Sequence, residues 1–214
     1  MVLMAICNAN YEFIMCDFGT NGRVSDGGVI ENTNFYYGLK NKQLSIPRAE
    51  PISQGTHTVL PYVFVGDDAF SLRTDLLKPY PQHGLTRERR IYNYRISRAR
   101  NTIENTFGIL ANRFRIFHTT INLKVENTEK VVLACCYLHN FLRKTCGSYV
   151  SAESLDSEDR DTGEVQSGLR ISTEMGCLQY GANRHSSEEA RKVQKDFMGY
   201  FNNEGSVPWQ DRFM

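Results

Sequence analysis

The sequence has no long hydrophobic run, no paired cysteine spacing and no excess of charge of either sign. Its longest apolar stretch, 131–142, is interrupted by His139 and Asn140 and falls short of the ~20 apolar residues that a membrane-spanning helix needs. The apolar segment 1–7 has neither a charged leader nor a small-residue cleavage site, so it does not resemble a secretory signal peptide. We therefore expect no association with a membrane.

The composition is that of an ordinary globular protein. Hydrophobic residues make up 41% and charged residues 23% of the 214 residues, which excludes wholesale disorder and allows one substantial domain with its own core. The six cysteines lie mostly in apolar segments, so we expect reduced, buried thiols in an intracellular protein. The net charge is only +1, but acidic and basic residues are concentrated in different segments.

The first third of the chain has mixed strand and helix signals. Residues 2–7 and 11–16, separated by an Asn-Ala-Asn turn, predict a β-hairpin followed by a loop. Because the chain opens inside a strand, we expect that an upstream segment is missing. Ser25 or Asp26 is positioned to cap a helix over about 28–38. The apolar run 60–65 predicts a central strand that delivers Asp67 at its end.

Two helices dominate the middle of the chain. From Thr86 the sequence is basic and helical, and apolar residues recur at a spacing of three to four as a buried stripe. The members of this stripe are Ile103, Phe107, Leu110 and Phe114. A second helix is predicted over 125–143, and we expect it to be buried because its centre is nearly apolar.

The C-terminal part changes in composition. Residues 148–168 are rich in Asp and Glu and poor in apolar residues, as in a disordered linker. Ser186 or Ser187 is positioned to cap a helix from Glu188 to about Asn202. We therefore expect a folded domain over 1–146, an acidic flexible linker over 147–185, and a C-terminal helix and tail over 186–214.

Three acids stand at positions that favour chemistry. Asp67 follows the predicted central strand, Glu104 lies beside the buried stripe of a helix, and Asp26 follows a glycine-containing loop. Two or three converging carboxylates bind hard cations such as Mg²⁺ or Mn²⁺. Each acid also has a plain structural interpretation, in which Asp67 is a turn residue, Glu104 pairs with Arg100, and Asp26 is only a helix cap.

Four segments, in this order, carry a family resemblance: YEFIMCDFGTNGRVSDGGV, YVFVGDDAF, NTIENTFGILANRFRIF and LACCYLHNFLR. They resemble the nuclease domain of Harbinger (PIF-type) transposases and their domesticated relatives in the DDE endonuclease superfamily. The resemblance runs from residue 1 to about 143. It implies an α/β, RNase H-like fold, in which a mixed sheet flanked by helices gathers Asp, Asp and Glu around a divalent metal.

The resemblance assigns roles to individual residues. Asp67 and Glu104 match the second and third catalytic acids, and Asp26 matches a further metal neighbour. The first catalytic Asp of the family lies on a strand upstream of the one that opens this chain, and the N-terminal DNA-binding helices of the family are absent as well. We therefore expect an N-terminally truncated domain with weak metal binding and little or no cleavage on its own.

An arginine-rich stretch adjoins these acids. Eight arginines fall between residues 87 and 115, opposed only by Glu88 and Glu104: Arg87, Arg89, Arg90, Arg95, Arg98, Arg100, Arg113 and Arg115. Arginine binds phosphate through its bidentate fork, so the stretch predicts contact with the DNA backbone, with a solvated helix face as the alternative. Cys135 and His139 share a helix face at a spacing of four, for which packing is favoured over a shared metal.

The sequence thus predicts a metal-dependent DNA endonuclease or transposase-derived domain that uses Mg²⁺ or Mn²⁺. The alternative is a domesticated, non-catalytic module that binds DNA or protein. The expected partners are DNA and a separate DNA-binding protein, and a DNA substrate implies a location in the nucleus. The oligomeric state does not follow from the sequence.

Overall fold

A computed structural model describes residues 1–20, 30–52, 55–150, 155–159, 162–166, 168 and 186–213 of the chain. The chain divides into two compact units, and each combines helices with small sheets. Unit 1 contains 1–24 and 101–178, and unit 2 contains 25–100 and 179–214. The protein is therefore of mixed α/β class, and each unit is described by itself.

Unit 1 opens with the predicted hairpin. β1 (Val2–Cys7) pairs antiparallel with β2 (Phe13–Thr20), which confirms the hairpin. The Asn8 side chain shapes the turn, because its Oδ1 accepts the backbone N–H groups of Asn10 and Glu12 at 2.9 and 3.1 Å. β2 continues through 17–20, where a loop was predicted, since β1 supplies pairing partners for these residues.

Unit 2 contains short strands where one longer strand was predicted. β3 (Glu50–Pro51) pairs antiparallel with β4 (Val59–Leu60), and β5 (Phe64–Val65) pairs parallel with β6 (Leu76–Leu77). The prediction of one continuous strand over 60–65 is therefore wrong. Pro61 has no N–H to donate to a neighbouring strand, and the residues on its two sides pair with different segments.

Helices α1 and α2 lie before and after these strands. α1 (Asn34–Lys40) is capped by Thr33, whose hydroxyl accepts the N–H of Tyr36 at 3.1 Å. The predicted caps at Ser25 and Asp26 lie outside the described residues. α2 (Arg87–Arg113) is the predicted basic helix, and the boundary between the two units falls within it, after Arg100.

The core of unit 1 lies between the hairpin, the end of α2 and α3 (Val125–Thr145). It is built from the buried Phe13, Leu110, Cys135 and Cys136. The other predicted stripe residues, Ile103, Phe107 and Phe114, pack against this cluster half-buried. The stripe is thus confirmed as the face that packs on the core, although only Leu110 is fully buried and Phe114 follows the last residue of α2.

The expectation that α3 is buried holds for one of its faces only. Val132, Cys135, Cys136 and His139 are buried, whereas Tyr137 and Phe141 are exposed. Apolar composition predicted the helix but not how many of its faces are covered.

Two described features fall within the segment predicted as a flexible linker. Tyr149 is buried against His139, so the packed part of unit 1 continues past Cys146. β7 (Ser157–Glu158) pairs antiparallel with β8 (Val165–Gln166). The domain bounds at 146, 185 and 186 stay predictions.

The last helix, α4 (Glu188–Asn202), has the predicted bounds and is capped by Ser187. It contributes Ala190, Phe197 and Tyr200 to the core of unit 2, beside Leu77 and Tyr92. The helix is therefore part of a hydrophobic core rather than an appended tail.

The described strands form four sheets of two strands each. A single mixed sheet of the RNase H-like kind is not among them and stays a prediction. Among the described helices, none combines the length and the apolar character that crossing a membrane requires.

Candidate functional site

Asp67 lies in a tight turn directly after β5. The N–H of Gly66 donates to the Leu77 carbonyl at 2.9 Å and closes the parallel pair. Oδ1 of the half-buried Asp67 then accepts the N–H of Ala69 at 3.0 Å. A Cβ at position 66 would lie 2.7 Å from the Phe70 ring, so this close approach requires glycine. One carboxylate oxygen of Asp67 thus accepts a hydrogen bond within the turn. The other oxygen accepts none of the described hydrogen bonds of this turn.

Glu104 lies on the exposed face of α2. Its neighbours Asn105 and Thr106 are buried, and the Thr106 hydroxyl donates to the Thr102 carbonyl at 2.8 Å. Ile103, on the other side, packs half-buried against the core of unit 1. The prediction that Glu104 borders the buried face is therefore confirmed for its position along α2, while its side chain is exposed to solvent.

The three predicted acids do not form a cluster that can be described. Asp67 belongs to unit 2, Glu104 belongs to unit 1, and Asp26 lies outside the described residues. In the described part of the chain, no group of three or more His, Cys, Asp or Glu side chains is arranged to hold a metal ion.

Several of the eight arginines are held by the chain itself. In unit 2, Arg95 donates to the Gly205 carbonyl at 2.9 Å, and its guanidinium lies 4.9 Å from the centroid of the Phe201 ring. In unit 1, Arg113 donates to the Tyr149 carbonyl and stacks over the same tyrosine at 5.3 Å. These contacts fix the guanidinium groups of both arginines to the fold.

Three further arginines make contacts that are close in sequence or exposed to solvent. Arg87 forms an ion pair with Asp211, Arg89 lies 4.9 Å from the Tyr80 ring, and Arg98 donates to Tyr94 at 2.8 Å. The Arg87 pair is exposed, so it adds little to stability. Arg90 and Arg115 are also exposed, and their side chains are available to a ligand.

Sequence reasoning missed the internal role of these arginines. The partner of Arg95 is 110 residues away along the chain, and that of Arg113 is 36 residues away. No local spacing pattern joins such pairs. A run of arginines predicts positive charge, but the fold decides which of those charges are exposed.

His139 is held at both ring nitrogens. Nε2 lies 2.7 Å from the Tyr11 carbonyl, which only accepts, so Nε2 carries the hydrogen, and Nδ1 accepts from the Tyr149 hydroxyl at 2.9 Å. Burial lowers the pKa of His139 and raises the pKa of Tyr149 to about 12. Packing, the favoured interpretation, accounts for both nitrogens, so neither is left for a metal shared with Cys135.

The cysteines of the described residues are unpaired thiols. Cys135 and Cys136 are buried, Cys7, Cys16 and Cys146 are half-buried, and Cys177 lies outside the described residues. Burial raises the pKa of the Cys7 and Cys135 thiols, which disfavours their reactive thiolate form. These two cysteines behave as packing residues.

A family model described as "DDE superfamily endonuclease" matches residues 1–140. This range begins at β1, extends into α3 and includes Asp67 and Glu104. The chain belongs to the DDE superfamily endonuclease family. The resemblance to Harbinger-derived nucleases, inferred from four ordered motifs, is thus confirmed.

Curated relatives agree with this assignment. "Protein ALP1-like" of Arabidopsis thaliana is 28% identical over 144 residues, which cover 66% of this chain and 35% of that protein. "Putative nuclease HARBI1" of Bos taurus and of Homo sapiens are each 37% identical over 79 residues, covering 36% of this chain and 22% of theirs. The chain therefore matches about a third or less of the length of these relatives. No solved structure matches it.

Proposed function

We propose that the chain is a nuclease-derived domain of the transposase type, and that the complete domain has an RNase H-like fold and acts on DNA phosphodiester bonds with Mg²⁺ or Mn²⁺. The observation that carries the proposal is the family match over 1–140, which includes both Asp67 and Glu104. A bound metal pair activates water and stabilises both oxygens of an in-line displacement.

In this proposal Asp67 and Glu104 are metal ligands, and Asp26 is a further neighbour of the metal. Carboxylates suit hard divalent cations. The Ala69 N–H holds one oxygen of Asp67, which restricts rotation of the carboxylate and orients its other oxygen. We expect weak metal binding and little cleavage by this chain, because Asp67 and Glu104 match only two of the three catalytic acids that the family resemblance implies.

Nicking of supercoiled plasmid in Mg²⁺ or Mn²⁺ tests the catalytic role. Any cleavage should be lost in Asp67→Asn and in Glu104→Gln. The matched controls are Asp68→Asn and Glu129→Gln, which remove the charge of exposed acids outside the proposed ligand set and should leave cleavage unchanged. Cleavage that survives both site variants would refute the assignment.

Metal binding gives a readout that does not depend on turnover. Titration of Mn²⁺ followed by electron paramagnetic resonance should show weaker binding in Asp67→Asn and Glu104→Gln than in the two controls. Equal Mn²⁺ binding by all five proteins would overturn the proposed ligands even if the chain has no nicking activity.

A second candidate is a domesticated, non-catalytic module that binds DNA or protein. The exposure of Arg90 and Arg115 favours its DNA-binding form, because Arg side chains that contact phosphate supply affinity without reading base sequence. In either case we propose DNA and a separate DNA-binding protein as partners and the nucleus as the location.

Fluorescence anisotropy with duplex DNA tests the exposed arginines. The double variant Arg90→Ala/Arg115→Ala should bind more weakly, and the slope of log affinity against log salt should fall by about two. The control, Lys192→Ala/Lys195→Ala, removes the same charge from exposed positions on α4 and should keep the original slope. An unchanged slope in the arginine variant would exclude these two residues as phosphate contacts.

A further inference from the structure

Hydrogen bonds dock α3 against β2 in one fixed register. Asn140 accepts the N–H of Phe13 through Oδ1 and donates to the Phe13 carbonyl through Nδ2, both at 2.8 Å. Three residues farther along α3, Arg143 donates to the Asn10 carbonyl at 2.9 Å. Later residues of α3 therefore lie beside earlier residues of the hairpin. The residue one turn before Asn140 lies beside the part of β2 that follows Phe13.

This register brings two cysteines to the same place. On α3, Cys136 shares a helix face with Asn140, because the two are four residues apart. On β2, the pairing with β1 contains one extra residue, Ile14, which is 59% exposed. Such a bulge shifts the alternation of the strand, so Cys16 faces the core on the same side as Phe13. Cys16 accordingly packs half-buried against the cluster that contains Cys136.

The two thiols are in direct contact. The Sγ–H of Cys16 donates a hydrogen bond to Sγ of Cys136. This hydrogen bond lowers the pKa of the Cys136 thiol and raises the pKa of the Cys16 thiol, whose proton it uses. Cys136 is 3% exposed, and Cys16 is the more accessible member of the pair. A sulfur that favours the thiolate form thus lies against a second thiol, which is the arrangement that disulfide formation requires.

We propose that Cys16 and Cys136 are an oxidation site, which hydrogen peroxide converts into an intrachain disulfide that ties the hairpin to α3. The Cys136 thiolate attacks one peroxide oxygen, the O–O bond breaks, and Cys136 becomes a sulfenic acid. The released hydroxide takes the proton of Cys16 and leaves as water. The Cys16 thiolate then displaces the sulfenic hydroxyl, which leaves as a second water with the proton that Cys136 had lost. Two thiols are oxidised to one disulfide, and one peroxide is reduced to two waters.

Mass spectrometry of the full chain tests the proposal. After treatment with hydrogen peroxide and alkylation of the remaining thiols, proteolysis should release a peptide containing Cys16 linked to one containing Cys136. Reduction with dithiothreitol should separate the two peptides. No such link in the unaltered chain, or a link from Cys16 to Cys135 that forms as readily, would overturn the proposal.

Four variants locate the reaction. Cys16→Ser and Cys136→Ser should each abolish the link. The matched controls, Cys7→Ser and Cys135→Ser, remove neighbouring cysteines of the hairpin and α3 and should keep it. Loss of the link in all four variants, with circular dichroism showing that each is folded, would exclude a specific pair.

Oxidation in concentrated urea separates the native contact from chance pairing. In the native chain, the link between Cys16 and Cys136 should form first and predominate. In urea it should lose this predominance, because the two residues are far apart in sequence and only the docking of α3 on β2 brings them together. A link that is no more frequent in the native chain than in urea would exclude the docked pair as its source.

Discussion

His139 is buried as a neutral imidazole, and the geometry around it explains why. Its Nε2–H donates to the Tyr11 carbonyl, and its Nδ1 accepts from the Tyr149 hydroxyl. Protonation would place a hydrogen on Nδ1 and a charge in a buried site. Burial disfavours that charge, which is why the pKa of His139 is lowered.

This arrangement predicts a pH dependence of stability. The unfolded chain takes up the His139 proton near pH 6.5, whereas the native chain takes it up only at lower pH. Between these two pKa values the unfolded state binds more protons, so the free energy of unfolding should fall as the pH decreases below about 6.5. Above about pH 6.5, titration of His139 should not change the free energy of unfolding. Urea unfolding at pH 7.5, 6.5 and 5.5 measures the effect.

Two variants isolate the contribution of His139 to this slope. His139→Gln should reduce the loss of stability below pH 6.5, whatever its effect on stability at neutral pH. His83→Gln removes an exposed histidine and should leave the pH dependence as it was. If the slope is the same with and without His139, the buried histidine is not its source.

At the residue scale, Asp67 and Glu104 could be selected from the sequence, but their surroundings could not. A turn after a strand was the plain structural interpretation of Asp67, and Asp67 lies in such a turn. Tyr149 was not predicted as a structural residue because it stands in a polar, acidic stretch. Its role depends on the position where α3 ends and on the buried His139, neither of which its neighbours in sequence reveal.

At the scale of elements, local sequence signals were most informative for α4, whose bounds and cap they predicted. Ser187 precedes Glu188 and Glu189, and its hydroxyl accepts the N–H of Ala190 at 3.2 Å. A polar cap followed by acids in the first turn satisfies free N–H groups and complements the helix dipole. The sequence left Ser186 and Ser187 as alternative caps, and the hydrogen bond identifies Ser187.

Substitution of the cap tests this assignment. Ser187→Ala should lower the free energy of unfolding by ~1 kcal/mol, because an N–H of the first turn loses its partner. Ser186→Ala is the matched control and should cost clearly less. Urea unfolding of the two variants gives the comparison, and equal losses would show that Ser187 is not the effective cap.

The strands were less predictable than the helices for a physical reason. Helix caps and the apolar stripe of α2 depend on residues within one or two turns of each other. Strand pairing depends on distant segments, so an apolar run such as 60–65 does not reveal that Leu60 pairs with Glu50 while Phe64 pairs with Leu76. The same limit applies to α3, where only the fold shows which apolar face is covered.

At the scale of the whole molecule, the described residues form two hydrophobic clusters, each from residues of one unit. The cluster of unit 1 includes Phe13 and Leu110, and that of unit 2 includes Leu77, Tyr92 and Phe197. The cluster of unit 2 thus joins the middle of the chain to α4. This return of the C-terminal helix could not be predicted, because its amphipathic pattern shows that it packs but not against what.

The separate clusters predict that the two units respond differently to matched core substitutions. Leu77 and Leu110 are both buried, so replacing either with alanine should lower the free energy of unfolding by about 2–5 kcal/mol.

Trp209 is the only tryptophan and belongs to unit 2, so its fluorescence reports the unfolding of that unit. Leu77→Ala should lower the urea midpoint measured by Trp209 fluorescence. Leu110→Ala should leave that midpoint unchanged. It should shift part of the loss of helical signal, measured by circular dichroism, to lower urea concentrations. If both variants lower the Trp209 midpoint equally, the two clusters unfold as one cooperative unit, and stability lost in either is lost by the whole chain.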